Sequence, residues 1–421
     1  MTAKAGRLSL MMFLQYAVWG AWLPLAARYL TAGTAEGGLG FTGTQVGTIL
    51  GLAGSIGAIA SPFIAGQFAD RHFSTERFLT LLLALGGVLK WITASQTGFS
   101  AWLVLSILYS VVYMPTLALS NSMAFAHLEE RGRFGKVRVW GTIGWIAASW
   151  IFPMIYLQTE LRLQWMPPFL TGPELPNVTA RLADSLRFSA LISWGYALFC
   201  LALPHTPPKK AGVEKLAFAK AFRLLREPSF LVLVAASLPI SVIHQVYFLQ
   251  TPPFLSSLGL LDSQIGPAMT IGQFSEIVIM ALLGLMLIRL GFRNVIALGA
   301  LAYFIRYTVW SYPTLPVSLL VASQFLHGIC YACFFAAAYI YTDRVAPADV
   351  RHSAQTVFGI LILGGGPVLG GMLSGWLADT YARTGGQVDY GALWRVVSLI
   401  GLAAAVFFWT SFRERKASAE A

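Results

Sequence analysis

Thr270-Ile271-Gly272-Gln273-Phe274-Ser275-Glu276-Ile277-Val278-Ile279-Met280 lies within an apolar run long enough to cross a bilayer, and it carries a carboxylate. The chain has 18 Asp and Glu; the others fall in loops, in tails or near an expected membrane boundary. About 20 apolar residues span a bilayer as a helix. A charged side chain at the centre of such a helix costs roughly 2.5–3.5 kcal/mol on insertion scales. Neutralising a glutamate near pH 7 costs a similar amount, nearly 4 kcal/mol at about 1.36 kcal/mol per pH unit. Glu276 can therefore be charged or neutral near physiological pH according to its partner, which makes it a candidate proton or substrate site. The competing reading is a polar lock between two helices.

The rest of the composition agrees with a bilayer setting. The 421 residues are 57% hydrophobic and 11% charged, with mean hydropathy +0.67. Globular chains carry about 25% charged residues. The net charge of +11 does not point to nucleic acid, because no basic cluster stands on a soluble domain. Cys200, Cys330 and Cys333 all sit in apolar runs. Cys330-Tyr331-Ala332-Cys333 has ligand spacing but no second pair, so no metal is expected. Gly364-Gly365-Gly366-Pro367 lacks the Lys-Ser or Lys-Thr of a phosphate loop, so no nucleotide cofactor is expected and close helix packing explains it. No catalytic constellation stands at membrane depth, which argues against an enzyme. The first apolar run, about 24 residues, is too long for a cleavable signal core.

Apolar length and helix breakers divide the chain into twelve spans: 8–31, 44–66, 78–96, 101–121, 137–157, 187–205, 229–251, 263–288, 293–311, 315–342, 352–382 and 391–412. With both termini inside, six Lys and Arg fall outside (Arg28, Arg162, Arg181, Arg187, Arg383 and Arg395), two lie within spans, and the other 21 of 29 are inside. That asymmetry fixes the orientation. A polar, basic segment separates two sets of six spans. The expected organisation is therefore an all-α membrane protein of twelve transmembrane helices, with halves 1–205 and 229–421 and a cytoplasmic linker 206–228. Secondary transporters are built from two such halves.

Gly66-Gln67-Phe68-Ala69-Asp70-Arg71-His72, continuing to Arg77, resembles the signature loop of the major facilitator superfamily. Asp70 and Arg71 are then an expected inner gate, with a solvated loop as the alternative. The second-half counterpart, Arg289-Leu290-Gly291-Phe292-Arg293, is degenerate. A narrower resemblance runs through both halves. Phe13-Leu14-Gln15-Tyr16, Trp19-Gly20-Ala21-Trp22, Tyr113-Met114-Pro115-Thr116-Leu117, Val137 to Gly144, Leu203-Pro204-His205, Gln273 to Glu276 and Arg351 to Gln355 look like the nucleoside:proton symporter family.

Arg138, Thr142 and Trp145, at i, i+4 and i+7, share one helix face. A guanidinium, a hydroxyl and an indole suit a polar, flat ligand, whereas a snorkelling arginine is the plainer account. Gln245, and Gln273 with Glu276 at i, i+3, offer amides that donate and accept; interhelical hydrogen bonds are the alternative. The resemblance implies substrate contacts for Arg138, Thr142, Gln245 and Gln273. Tyr331 is placed to stack on a base or to pack in the core, and Trp19 lies mid-span where one of Trp19 and Trp22 should face a cavity. In the family an aspartate follows the aromatic at the position of Tyr331; here it is Ala332. Lys90 and Arg306 lie in the outer halves of their spans and are expected to snorkel to headgroups.

The resemblance implies nucleoside uptake coupled to protons by alternating access, with Glu276 taking the proton, in a bacterial inner membrane, both termini cytoplasmic. The expected partners are nucleoside, protons and lipid; the protein should work as a monomer. Ala332 keeps a second reading open, a facilitator or symporter for another polar small molecule such as a sugar. A ligand-binding receptor that does not transport is the third.

Overall fold

The structure, a computed structural model, describes residues 3–62, 64, 73–128, 134–208, 223–346, 351–382 and 387–414. Among these the extended pairings are isolated bridges, Gln158 with Glu174, Leu163 with Leu170 and Ala382 with Val388. Most of the other described residues are helical. The helices are α1 Ala3–Gly20, α2 Leu23–Thr31, α3 Gly43–Ser61, α4 Thr75–Thr93, α5 Phe99–His127, α6 Phe134–Phe152 and α7 Asp184–Cys200. They continue with α8 Pro228–Ser257, α9 Asp262–Met269, α10 Ile271–Trp310, α11 Val317–Val345, α12 Val357–Thr380 and α13 Tyr390–Ser411. Nine helical stretches among the described residues are long and apolar enough to cross a membrane.

The longest of these, Asp262–Trp310, has 49 residues, far more than one crossing needs. Gly291, at φ 74°, breaks it, in the Arg-Leu-Gly-Phe-Arg stretch where two spans were expected to meet. Only glycine adopts that backbone without strain. Widened π turns interrupt other helices at Thr48–Ala53, Pro153–Leu157, Cys330–Ala336 and Ile360–Gly365. Such turns break the i→i+4 ladder and often mark functional positions.

The chain forms two compact units. One comprises Met1–Val213 with Phe248–Thr270, the other Glu214–Tyr247 with Ile271–Ala421. In the first unit α1 packs on α6 and α7, α4 on α5 and α7, and α3 on α5. The α1–α6 crossing is tight because both helices present glycine there. A Cβ on Gly144 would lie 2.0 Å from the Phe13 carbonyl oxygen, and one on Gly20 2.6 Å from that of Trp145. Close backbone approach over small residues is how membrane helices gain dispersion contacts without a hydrophobic driving force. In the second unit, the part of α10 after Gly291 packs on α11 and α13. There Tyr307 stacks on Trp394, with centroids 5.2 Å apart.

Two expectations are overturned. Lys90 and Arg306 do not snorkel. Leu81, Leu85, Val88 and Ile92 form the exposed apolar stripe of α4; Lys90 is on the opposite face, 3% exposed. Its ammonium lies 3.1 Å from the Trp22 ring centroid and 4.0 Å from that of Tyr109. Arg306 is wholly buried, on the face of α10 that also carries Tyr303, Tyr307 and Trp310. Aromatic faces, whose quadrupole attracts cations, take the place of headgroups at both.

Candidate functional site

The first unit assembles one polar and aromatic face from α1 and α6. Trp19 meets Trp145 edge to face at 5.9 Å and Tyr113 at 6.1 Å. Trp145 also contacts Phe248 of the same unit, at 6.4 Å. Trp19, Arg138 and Thr142 are half-buried and Trp145 is buried. The Arg138 guanidinium lies over the Tyr16 ring, 4.1 Å from its centroid. Gly141, one turn beyond Arg138, leaves room for this pair: a Cβ there would come 2.6 Å from the ring and 2.9 Å from Arg138 Nη1. The contact is a cation over an aromatic face, and Arg138 brings a fork of N–H donors to this side of the unit.

Behind that face, the Phe13-to-Tyr16 and Tyr113-to-Leu117 motifs are joined. Gln15 is fully buried. Its Nε2 donates to Thr116 Oγ1 at 2.8 Å, its Oε1 accepts from Ser120 Oγ at 2.9 Å, and its carbonyl accepts from the Tyr113 hydroxyl at 2.5 Å. A satisfied buried network of this kind fixes the rotation of α1 against α5, and with it Tyr16 and Trp19.

The second unit carries the other candidates. Gln245 on α8, Glu276 on α10 and Tyr331 on α11 are half-buried, and Gln273 is buried. Among the described residues Gln273 Oε1 has no hydrogen-bond partner. A buried amide oxygen left so costs about 1–3 kcal/mol, a cost that an incoming donor recovers. Tyr331 lies in the widened turn Cys330–Ala336, its ring 6.3 Å from that of His244, the neighbour of Gln245. Helix α10 reaches α11 through small residues: Ser275 Oγ donates to the Phe325 carbonyl at 2.5 Å, and a Cβ on Gly328 would meet the backbone nitrogen of Glu276 at 2.5 Å.

Within the units, Trp19 is brought to Trp145, and Tyr331 to His244, the residue before Gln245 on α8. Asp70 and Arg71 lie outside the described residues. Sequence reasoning missed Tyr16 as the partner of Arg138, although it stands three residues before Trp19 in a motif already singled out.

It also missed a clamp on the expected outer side of the first unit. Asp262, 4% exposed, accepts from Arg28 Nε at 2.8 Å and from Thr179 Oγ1 at 2.7 Å. Arg28 pairs with Glu36 as well, at 2.9 Å. Gln264 Nε2 donates to the Leu170 carbonyl and the Ser263 amide to Glu174, each at 2.6 Å. Burial pushes the Glu174 carboxyl above its ordinary range, and the Asp262 charge adds to that; the Ser263 N–H opposes both.

The family model described as Nucleoside H+ symporter matches residues 1–417. YegT of Escherichia coli (strain K12) is 32% identical, over 97% of this chain and 93% of its own. The nucleoside permease NupG of the same organism is 27% identical, over 97% and 95%. The crystal structure of the nucleoside transporter NupG superposes with a TM-score of 0.82 at 24% identity, covering 98% of this chain and 100% of that one. That likeness shows the fold, an all-helical one shared with that structure. With the match running nearly end to end, the chain belongs to the Nucleoside H+ symporter family.

Proposed function

We infer that this protein is a secondary transporter that takes up nucleosides together with protons by alternating access. The observation that carries the reading is the family match over residues 1–417. The geometry of each unit supports it. Arg138 on its Tyr16 platform, with Thr142 and the Trp19–Trp145 pair, offers hydrogen-bond donors beside aromatic edges. Gln273, with its unpartnered Oε1, and Gln245 offer amides to a base edge or a ribose hydroxyl. Tyr331 offers a ring for stacking. Glu276 is the proton carrier in this reading: neutral on entry, it gives up its proton on the inner side before the empty carrier resets. Asp70 and Arg71 form the inner gate.

The same reading takes twelve spans in two six-helix halves, 1–205 and 229–421, joined by a cytoplasmic linker. It places the protein in a bacterial inner membrane as a monomer with both termini cytoplasmic. Ala332 favours one alternative, a carrier for another polar small molecule such as a sugar, because alanine offers neither a proton site nor a partner for a ribose hydroxyl.

Counterflow of labelled uridine in proteoliposomes, with adenosine, xanthosine and xylose as competitors, separates the two. Nucleosides should compete and xylose should not. Competition by xylose alone would replace the nucleoside reading with the sugar one.

A further inference from the structure

The boundary between the two compact units falls inside α8, between Tyr247 and Phe248, and again between Thr270 and Ile271, where α9 gives way to α10. Residues 248–270 therefore belong by chain order to the expected second half and by packing to the first unit. Both crossings lie at interruptions of the helical ladder. Pro252 and Pro253 have no N–H to offer Phe248 and Leu249, four residues earlier, and a proline ring crowds the carbonyl at that position. Pro267 stands inside α9, which Thr270 caps.

The segment is held to the first unit by polar contacts at its tip and an aromatic contact at its root. Asp262 takes Arg28 and Thr179, the Ser263 amide donates to Glu174, and Gln264 donates to the Leu170 carbonyl. Trp150 Nε1 donates to Thr270 Oγ1 at 2.8 Å. A Cβ on Gly266 would lie 2.7 Å from the Ser149 carbonyl oxygen, so α9 rests on the backbone of α6. At the root, Phe248 meets Trp145, a member of the candidate substrate face, at 6.4 Å.

We propose that residues 248–270 form the outer gate, a hairpin that bends at Phe248–Leu249, covers the Trp145 face, and swings away when Asp262 releases Arg28 and Thr179. The proposal rests on the alternating-access reading. Rocking of two halves requires that whatever ties the second half to the first on the outer side come apart in each cycle, and this clamp is such a tie. Its chemistry suits a reversible latch. Arg28 keeps Glu36, at 2.9 Å, when Asp262 leaves, so the guanidinium is not stranded without a partner, and Asp262 parts from it into outer water. Gln245 lies one turn before the bend, so a ligand held there stands beside the moving part.

The test reads the position of the hairpin with spin labels on Thr97→Cys, between α4 and α5, and Ser257→Cys, near the hairpin tip. Both positions are exposed, and the native cysteines are buried. Asp262→Asn keeps the side-chain shape and removes the charge that holds Arg28. It should enlarge a population at longer distance than in wild type, and adding Pro252→Ala with Pro253→Ala, which restores the ladder, should return that population towards the shorter distance. The two proline changes alone should slow uridine counterflow about tenfold, the worth of two restored backbone hydrogen bonds. Distances unchanged in Asp262→Asn overturn the gate. A shift indifferent to the proline changes, or counterflow at the wild-type rate in the proline variant, overturns the hinge. Wild type that carries no uridine, beside a distance that shifts as expected, refutes the nucleoside reading and supports the gate. If Asp262→Asn is not recovered folded, Thr179→Val, which removes one donor to Asp262, takes its place with the same expectation.

Discussion

Tyr16→Leu tests whether Arg138 meets the substrate from its aromatic platform. The guanidinium lies 4.1 Å from the Tyr16 ring centroid, and both side chains are half-buried. A cation over a ring contributes about 0.5–1 kcal/mol at exposed sites and about 2 where desolvated. At about 1.4 kcal/mol per factor of ten, the expected loss is roughly 2- to 30-fold in apparent affinity. Leucine keeps most of the volume, so the loss reports the ring face rather than a cavity. If Arg138 holds the substrate equally in every state of the cycle, the change falls on KM and leaves kcat in place. Tyr16→Phe keeps the face and should match wild type. Gly141→Ala should act like Tyr16→Leu, because its methyl would displace ring and guanidinium together. The assay is initial-rate uridine uptake over a range of concentrations. A Tyr16→Leu protein that folds and shows wild-type KM, beside an Arg138→Ala protein that does not, would refute the platform.

Two further tests concern the scaffold. Gly144→Ala places a methyl 2.0 Å from the Phe13 carbonyl oxygen, which a backbone cannot yield cheaply. About 1–3 kcal/mol of overpacking is expected, read as a fall in Tm in detergent, whereas Gly195→Ala, which meets nothing within 4 Å, should leave Tm unchanged or higher. Equal Tm for the two would contradict the tight α1–α6 crossing. At the outer clamp, burial gives Glu174 a raised pKa in the folded protein, so the folded state binds its proton more tightly than the unfolded one. Stability contributed by the protonated form is complete below the ordinary value of 4.5 and is lost as pH rises through the raised one. Tm should fall over that window in wild type and fall less in Glu174→Gln; matching profiles would remove Glu174 as the cause.

Apolar length and charge made the fold legible. Runs of about 20 residues mark spans because the bilayer demands that length, and Gly291 between Arg289 and Arg293 marked the break that the structure shows. The faces of the helices were not legible. Lipid is as apolar as leucine, so Leu81 facing out and Leu83 facing in give the same signal. Lys90 and Arg306 were misplaced for that reason: position along a span says nothing about rotation, and both turned inward to aromatic faces. Spacing on α6 put Arg138, Thr142 and Trp145 on one side, and the structure brings Trp145 to Trp19. The stacking partner of Arg138 came from α1, a pairing that only tertiary packing reveals.

The central claim is that uptake of a nucleoside is driven by protons through Glu276. The direct measurement is labelled uridine accumulation in proteoliposomes under an inward pH gradient, for wild type and Glu276→Gln, with counterflow run in parallel. Wild type should concentrate uridine, a protonophore should abolish this, and Glu276→Gln should exchange without concentrating. Concentration of uridine by Glu276→Gln to the wild-type level would contradict the account.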